Sequence, residues 1–234
     1  MKKYLVMLVA SVALIAGGCQ SKVSKSDLKT LNQKVGYAIG LDIGKNMKAQ
    51  SVDIDVKSFV QGMKDGLSTD SSLKPLLNET EIRQVMAQFQ DEMIKKQKEK
   101  MKVSGEKNKK EGEKFLSENK NKPGVVTTAS GIQYKVIKSG NGKTPKADDK
   151  VTANYKGRLI DGTEFDNSYK RGEPATFPVS GVIKGWTEIL QLMKEGDIWE
   201  VYIPANLAYG ENAAGPQIGP NSVLIFQIEL IKVN

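Results

Sequence analysis

The hydrophobic pattern changes period once along the chain. Over 28–49, Leu28, Leu31, Val35, Ile39, Ile43 and Met47 recur at intervals of three and four, which places them on one helical face. A second, shorter helix over 56–67 follows from Val56, Phe59, Val60, Met63 and Leu67. Asn78-Glu-Thr-Glu81 reads as a helix start, with a capping side chain and an acidic residue three positions on. Ile82, Val85, Met86, Phe89 and Met93 carry the stripe forward, and it nearly vanishes after Lys95. No proline interrupts 79–122, so the pattern predicts one helix of about 40 residues and about 60 Å. From 125 the period becomes two. The runs 131–140, 151–159, 197–204 and 222–233 alternate, and WTEILQLMKEG (186–196) between them reads as one short amphipathic helix stopped at Gly196. Asp161-Gly162 marks a hairpin turn. These elements predict an α+β chain: a helical N-terminal module, a long connecting helix, and an antiparallel sheet wrapped on one short helix.

Charge sharpens the reading of the long helix. The stretch KKQKEKMKVSGEKNKKEGEK (95–114) holds nine lysines and four glutamates, most of the formal net charge of +8. A helix this polar has no apolar face to bury, so it is expected to stand in solvent as a rod between two domains. Gly105 and Gly112 are expected to weaken it and let it bend. Single-stranded nucleic-acid binding would need aromatic residues interleaved with the basic ones, and 90–114 contains none, so no nucleic-acid partner is expected. Gly36, Gly40 and Gly44 also lie four apart. Three glycines in register on a helix, at a cost of about 1 kcal/mol each, imply close approach of another backbone. That backbone belongs either to a second copy, making a homodimer, or to the same chain.

The first residues read as a targeting segment. MKK is followed by a run of 14 mainly apolar residues, YLVMLVASVALIAG, shorter than the roughly 20 that a membrane span requires, and then by Gly18, Cys19 and Gln20. Ala-Gly-Gly-Cys resembles a bacterial lipobox, although Ala16 stands where that motif usually carries leucine. The resemblance implies removal of residues 1–18, a lipid on Cys19 and anchoring to a membrane; Gln20 in place of Asp fits the outer one. The alternative is ordinary signal cleavage that leaves a free thiol.

Composition excludes several chemistries. The chain has no histidine and one cysteine, which removes Ser-His and Cys-His nucleophiles, His-ligated metal sites and an internal disulfide. Both tryptophans and five of the seven tyrosines lie beyond residue 130, so the compact, function-bearing part is expected there.

The runs YKGRLIDGTEFDNSY, VIKGW and LAYGENAAGPQIGPNSVLIFQIEL follow one another within 130–234. In that order they resemble the FKBP-type peptidyl-prolyl cis-trans isomerases. The helical front half and export signal resemble the subgroup typified by the macrophage infectivity potentiator and FkpA. The resemblance implies a signal peptide over 1–18, a dimerisation module over 19–78, a connecting helix over 79–122 and an isomerase domain over 125–234. It also implies a V-shaped homodimer, no cofactor, proline-containing exported polypeptides as substrates, and an FK506-type ligand for the same pocket. Trp186 would form the floor, and Tyr155, Phe165, Phe177 and Phe226 the walls. Val182 and Ile183 would line one side, the Ile183 N–H facing the peptide. Tyr209 would donate its hydroxyl to a substrate carbonyl, Asp166 would sit at the rim near Arg171 and Tyr155, and Ile218 would overhang. Asp166, Tyr209 and Phe226 would carry the catalysis. Ala175, Ala214 and Gln217 depart from small eukaryotic members and bear on substrate preference and inhibitor affinity. Two rival readings stand beside it: a dimeric clamp for unfolded chains with incidental isomerase activity, which uses the same surface, and a surface adhesin presented on the rod, which the intact pocket residues disfavour. Along a plain strand Phe165 and Asp166 face opposite ways, unless the chain bulges there.

Overall fold

The computed structural model describes residues 23–70 and 72–234, so the signal segment and Cys19 lie outside the described residues. Backbone contacts divide the chain into two units that meet at Asn78 and Glu79.

The first unit holds helices α1 (Leu31–Ala49) and α2 (Val56–Gly66). Thr30 opens α1 with a reciprocal capping box: its hydroxyl accepts the Gln33 N–H while the Gln33 side chain accepts the Thr30 N–H. Asp55 caps α2 by accepting the Ser58 N–H at 2.7 Å. The predicted apolar face of α1 stays open, with Leu31, Val35 and Ile39 all exposed. Nothing among the described residues comes within 4 Å of a Cβ built on Gly36, Gly40 or Gly44.

The second unit begins with α3 (Glu79–Asn119), one unbroken helix of 41 residues. The strands β1 (Val125–Thr127), β2 (Gln133–Lys138), β3 (Lys150–Leu159) and β4 (Glu164–Asn167) follow, then the short helix α4 (Ser168–Arg171) and β5 (Ala175–Pro178). Helix α5 (Lys184–Leu190), β6 (Ile198–Ile203) and β7 (Leu224–Val233) complete the unit. Every strand pairing is antiparallel, in the order β1-β2-β6-β7-β3-β4, with β5 pairing the first half of β3. The short helix predicted to run to Gly196 ends at Leu190. Turn backbone follows, and Gly196 takes a φ of +92°.

The sheet curls around α5. Alternate residues of its two longest strands point at that helix: Val151 and Ala153 from β3, and Leu224, Phe226, Ile228 and Leu230 from β7. They meet Trp186, Ile189 and Leu190 of α5, and most of these side chains are completely shielded from solvent. At about 25 cal/mol per Å2 of apolar surface removed from water, this burial is the main force closing the domain.

The opposite face of the sheet receives α3, and here the sequence expectation fails. The C-terminal part of α3 does not stand free in solvent. Gly105, Gly112 and Asn119, seven residues apart, are all buried. A Cβ on Gly112 would stand 2.7 Å from Val223 Cγ2, and one on Gly105 would stand 3.2 Å from the Pro220 Cβ. The glycines let the helix lie close against the domain; they are not flexible breaks. Phe115 packs on Tyr202 with ring centroids 5.9 Å apart. Asn119 Nδ2 donates to Gln133 Oε1 at 2.9 Å, and Gln133 Nε2 donates to the Leu116 carbonyl at 2.8 Å. The β2 side chain thus adds a second hydrogen bond to one of the last carbonyls of α3, which already accepts the Lys120 N–H at 3.1 Å.

This packing sets the sign of a substitution. In an open helix, Gly112→Val would gain a few tenths of a kcal/mol in helix propensity. Here it forces Val223 aside, at an overpacking cost of about 1–3 kcal/mol. Gly112→Val is expected to lower the denaturation midpoint followed by tryptophan fluorescence, while Lys110→Ala on the exposed face leaves it unchanged. A raised midpoint for Gly112→Val would show that α3 stands off the domain.

Candidate active site

The site grows from the β3–β4 hairpin. At its turn, Asp161 Oδ1 accepts the Thr163 N–H at 2.9 Å and Gly162 adopts a φ of +88°, so the chain reverses tightly. On the return strand Glu164 pairs with Arg158, and Asp166 pairs with Gly157. Phe165 is the extra residue between them, a β-bulge. The bulge lets two consecutive side chains, Phe165 and Asp166, line the same cavity. Opposite them, β3 carries glycine. A Cβ at Gly157 would stand 2.6 Å from the Phe165 ring and 2.8 Å from the Phe226 ring. Its absence is what lets the two rings meet, at 5.5 Å and nearly perpendicular.

The cavity measures about 770 Å3. Trp186 lies at its base with 4% of its surface exposed. Three rings surround the indole, each tilted or edge-on: Tyr155 at 5.1 Å, Phe226 at 5.1 Å and Phe177 at 5.4 Å. Such geometry opposes ring edges to ring faces, the favourable arrangement for aromatic quadrupoles. Trp186 is held there because α5 starts directly after Ile183, whose carbonyl accepts the Trp186 and Thr187 N–H groups. The Thr187 hydroxyl then donates to the Val179 carbonyl at 2.8 Å and ties the helix to the preceding turn. Gly181, Val182 and Ile183 line one side. The loop 205–223 supplies the other, with Tyr209, Ala214, Gly215 and Ile218. It is braced internally by a bridge in which the Ala214 N–H donates to the Ile218 carbonyl at 2.8 Å.

One polar cluster interrupts the apolar lining. The Tyr155 hydroxyl donates to Asp166 Oδ2 at 2.7 Å, and Arg171 Nη2 donates to the same hydroxyl at 2.8 Å. Arg171 Nη1 closes an ion pair with Asp166 Oδ1, and the Asn167 N–H adds a bond at 2.8 Å. Burial pushes the Asp166 carboxyl upward, but the hydrogen bonds from Tyr155 and Arg171 outweigh it and hold the group below its ordinary 3.8. Burial, reinforced by Asp166, pushes the Tyr155 phenol above its ordinary 10.0. Hydrogen bonds with Tyr155 and Asp166 raise Arg171 in turn.

The sequence-predicted residues divide as follows. Tyr155, Phe165, Asp166, Phe177, Val182, Ile183, Trp186, Tyr209, Ile218 and Phe226 all line the one cavity. Arg171 stands behind the rim, with its guanidinium carbon 5.3 Å from the centre of the Tyr155 ring, and reaches the site through Asp166 and Tyr155. Cys19 lies outside the described residues. Sequence reasoning missed Gly181 and Gly215 in the lining and the spatial role of Gly157. The signal for Gly157 was present: a glycine inside an alternating strand marks a bulge or a close approach.

Comparison with known proteins agrees with this geometry. Residues 141–231 match the family described as FKBP-type peptidyl-prolyl cis-trans isomerase, and residues 32–136 match the domain amino terminal to it. The chain is 47% identical over 232 residues to the peptidyl-prolyl cis-trans isomerase Mip of Coxiella burnetii, covering 99% of this chain and 98% of that one. It is 44% identical over 231 residues to the outer membrane protein MIP of Legionella longbeachae, again covering 99% and 98%. Among solved structures, FkpA from Escherichia coli superposes with a TM-score of 0.68 at 37% identity, covering 88% of this chain and 98% of that one. With family models matched over 32–136 and 141–231 and relatives 44–47% identical across nearly the whole chain, the chain belongs to the FKBP-type peptidyl-prolyl cis-trans isomerases.

Proposed function

We propose that this isomerase accelerates the folding of exported polypeptides by holding a proline ring against Trp186 while the preceding amide rotates. The observation that carries the reading is the apolar cavity with its single, self-satisfied polar cluster. Rotation about an X–Pro bond makes and breaks no covalent bond, so it requires neither a nucleophile nor a histidine. Its barrier of about 18–20 kcal/mol comes from amide resonance. As the amide twists, resonance is lost and the C–N dipole shrinks. A dry aromatic cavity disfavours the planar, polar amide more than the twisted one, which is differential binding of the transition state. Phe165, Phe177 and Phe226 would wall the ring, and Val182 with the Ile183 N–H would hold the chain on one side. Tyr209 would donate to a substrate carbonyl from the loop that Ile218 anchors. Asp166, neutralised by Arg171 and fixed by Tyr155, would polarise the rim. An FK506-type ligand would compete for the same space.

The remaining assignments belong to the same proposal. The open face of α1, with nothing near Gly36, Gly40 and Gly44, favours a homodimer through the N-terminal helices. The name of one relative, the outer membrane protein MIP of Legionella longbeachae, favours an outer-membrane location, and the Ala-Gly-Gly-Cys run favours a lipid on Cys19. Expected substrates are proline-containing unfolded chains.

The test is refolding of a protein limited by a proline isomerisation, with the protein added at catalytic concentration and an FK506-type ligand as inhibitor. Asp166→Ala removes hydrogen bonds to a charged group, worth about 1.5–3 kcal/mol, and should lower kcat/KM about 10–100-fold. Tyr209→Phe removes a neutral donor and should cost about 3–10-fold. Activity in Asp166→Ala equal to the parent would remove Asp166 from the mechanism.

The pH dependence follows from the same cluster. The Asp166 carboxyl titrates below 3.8 and the Tyr155 phenol above 10.0. Because the folded pKa of Asp166 is depressed, its contribution is complete above the unfolded value of about 3.9 and is lost as pH falls through the folded value. The kcat/KM profile should therefore be flat between about pH 5 and 8 and fall only on the acid side below about pH 4. A bell centred near neutrality would point to a titrating catalytic group and against this mechanism.

A further inference from the structure

We propose that Asn108 and Asn221 are positioning residues for the isomerase site, and that through them helix α3 holds the loop 205–223 over the cavity. The inference rests on the isomerase reading and adds a role for a helix that lines none of the cavity.

The loop faces two ways. Tyr209, Ala214, Gly215 and Ile218 on its inner side line the cavity. Its closing residues, Pro220 to Val223, lie against α3. Asn108 Nδ2 donates to the Pro220 carbonyl at 2.8 Å and stands 3.4 Å from the Ser222 hydroxyl. That hydroxyl donates back to the Gly219 carbonyl at 2.8 Å. One amide on the helix therefore sits at the centre of the loop's last turn.

Asn221 completes the connection. It is one of two non-glycine residues with positive φ among the described residues, at +56°. Such a conformation carries a steric cost and persists where the surroundings hold it. Its backbone N–H donates to the Gly210 carbonyl at 2.7 Å, clipping the end of the loop to the residue after Tyr209. Its side-chain Nδ2 points back to the Gly105 carbonyl of α3 at 3.4 Å, a long contact that makes Asn108 the stronger tie. The path from helix to site is thus short: α3 fixes Pro220 and Asn221, Asn221 fixes Gly210, and Tyr209 is adjacent. The buried Gly105 and Gly112 bring the helix axis close enough for these amides to reach.

Three substitutions in the full chain separate positioning from plain structure. Asn108→Ala removes the donor, and Asn108→Asp keeps the shape but presents only acceptors to the Pro220 carbonyl. Asn221→Gly removes the side-chain tie while accepting the left-handed backbone without strain, so an ordinary turn residue would show neutral or improved stability. Positioning predicts about a 3–10-fold loss of kcat/KM on an X–Pro peptide in each variant, with a double-variant loss smaller than the product of the singles. It also predicts about 10-fold faster amide exchange at Gly210 and Ala214, with Val201 and Ile228 in the sheet unchanged. Parent-like activity and loop exchange in Asn108→Asp would overturn the proposal. So would loss of activity accompanied by equally faster exchange in the sheet, which would make the contact merely structural. If the parent protein does not accelerate isomerisation at all, the functional reading fails, and the loop exchange still reports whether α3 orders the loop.

Discussion

The domain depends on a single packing constraint: an indole must sit at the bottom of a curled sheet with aromatic rings standing around it. Trp186 touches Tyr155, Phe177 and Phe226, which come from β3, β5 and β7. Beside the indole the cavity is opened by two local features, the bulge at Phe165 and the glycine facing it. Both features remove material or regularity from strands that would otherwise pair straight. The cavity is what remains where the sheet has been forced off its regular geometry.

That origin explains the chemistry. A space walled by rings is poorly hydrated and favours whatever is least polar in it. A carboxylate there must be held by donors supplied by the protein, and Asp166 has three: a phenol, a guanidinium and a backbone amide. With its charge matched on the spot, the rim offers an oriented dipole and not a loose ion. For a reaction in which a planar amide loses polarity as it twists, a poorly hydrated apolar space with its one charge already matched is more useful than a proton donor. A chain without histidine can therefore be an isomerase.

Much of this was legible in the sequence, and what was not has definite physical causes. The alternating runs marked the strands, and the residues of the cavity were reached through the family resemblance carried by the VIKGW run and its flanking motifs. The bulge was invisible to periodicity, because one inserted residue shifts phase only after the strand has nearly ended. The seat of α3 was misread for a different reason. Its buried stripe runs through Gly105, Gly112 and Asn119, with partly covered Asn108 and Phe115 between them. This is a helical face by spacing, but its residues are small or amide-bearing, so a search for hydrophobic periodicity passes over it. A lysine-rich helix looked like a solvated rod because the lysines truly are solvated; they occupy the rest of the circumference.

The two kinds of seam that α3 and α5 use are suited to different tasks. Helix α5 is fixed by burying large apolar groups, a force without direction that tolerates small shifts. The close-approach stripe of α3 works through backbone proximity and directed amide hydrogen bonds, which specify a register to within a fraction of an ångström. A loop that lines a cavity on one side and a helix on the other gains most from the second kind of constraint. Apolar packing alone would leave it free to slide, and the loop, with glycines at 210, 215 and 219, is not stiff by itself. Small residues on one face of a highly charged helix are thus not a weakness that the helix tolerates. They are the condition under which its Asn108 can reach the loop.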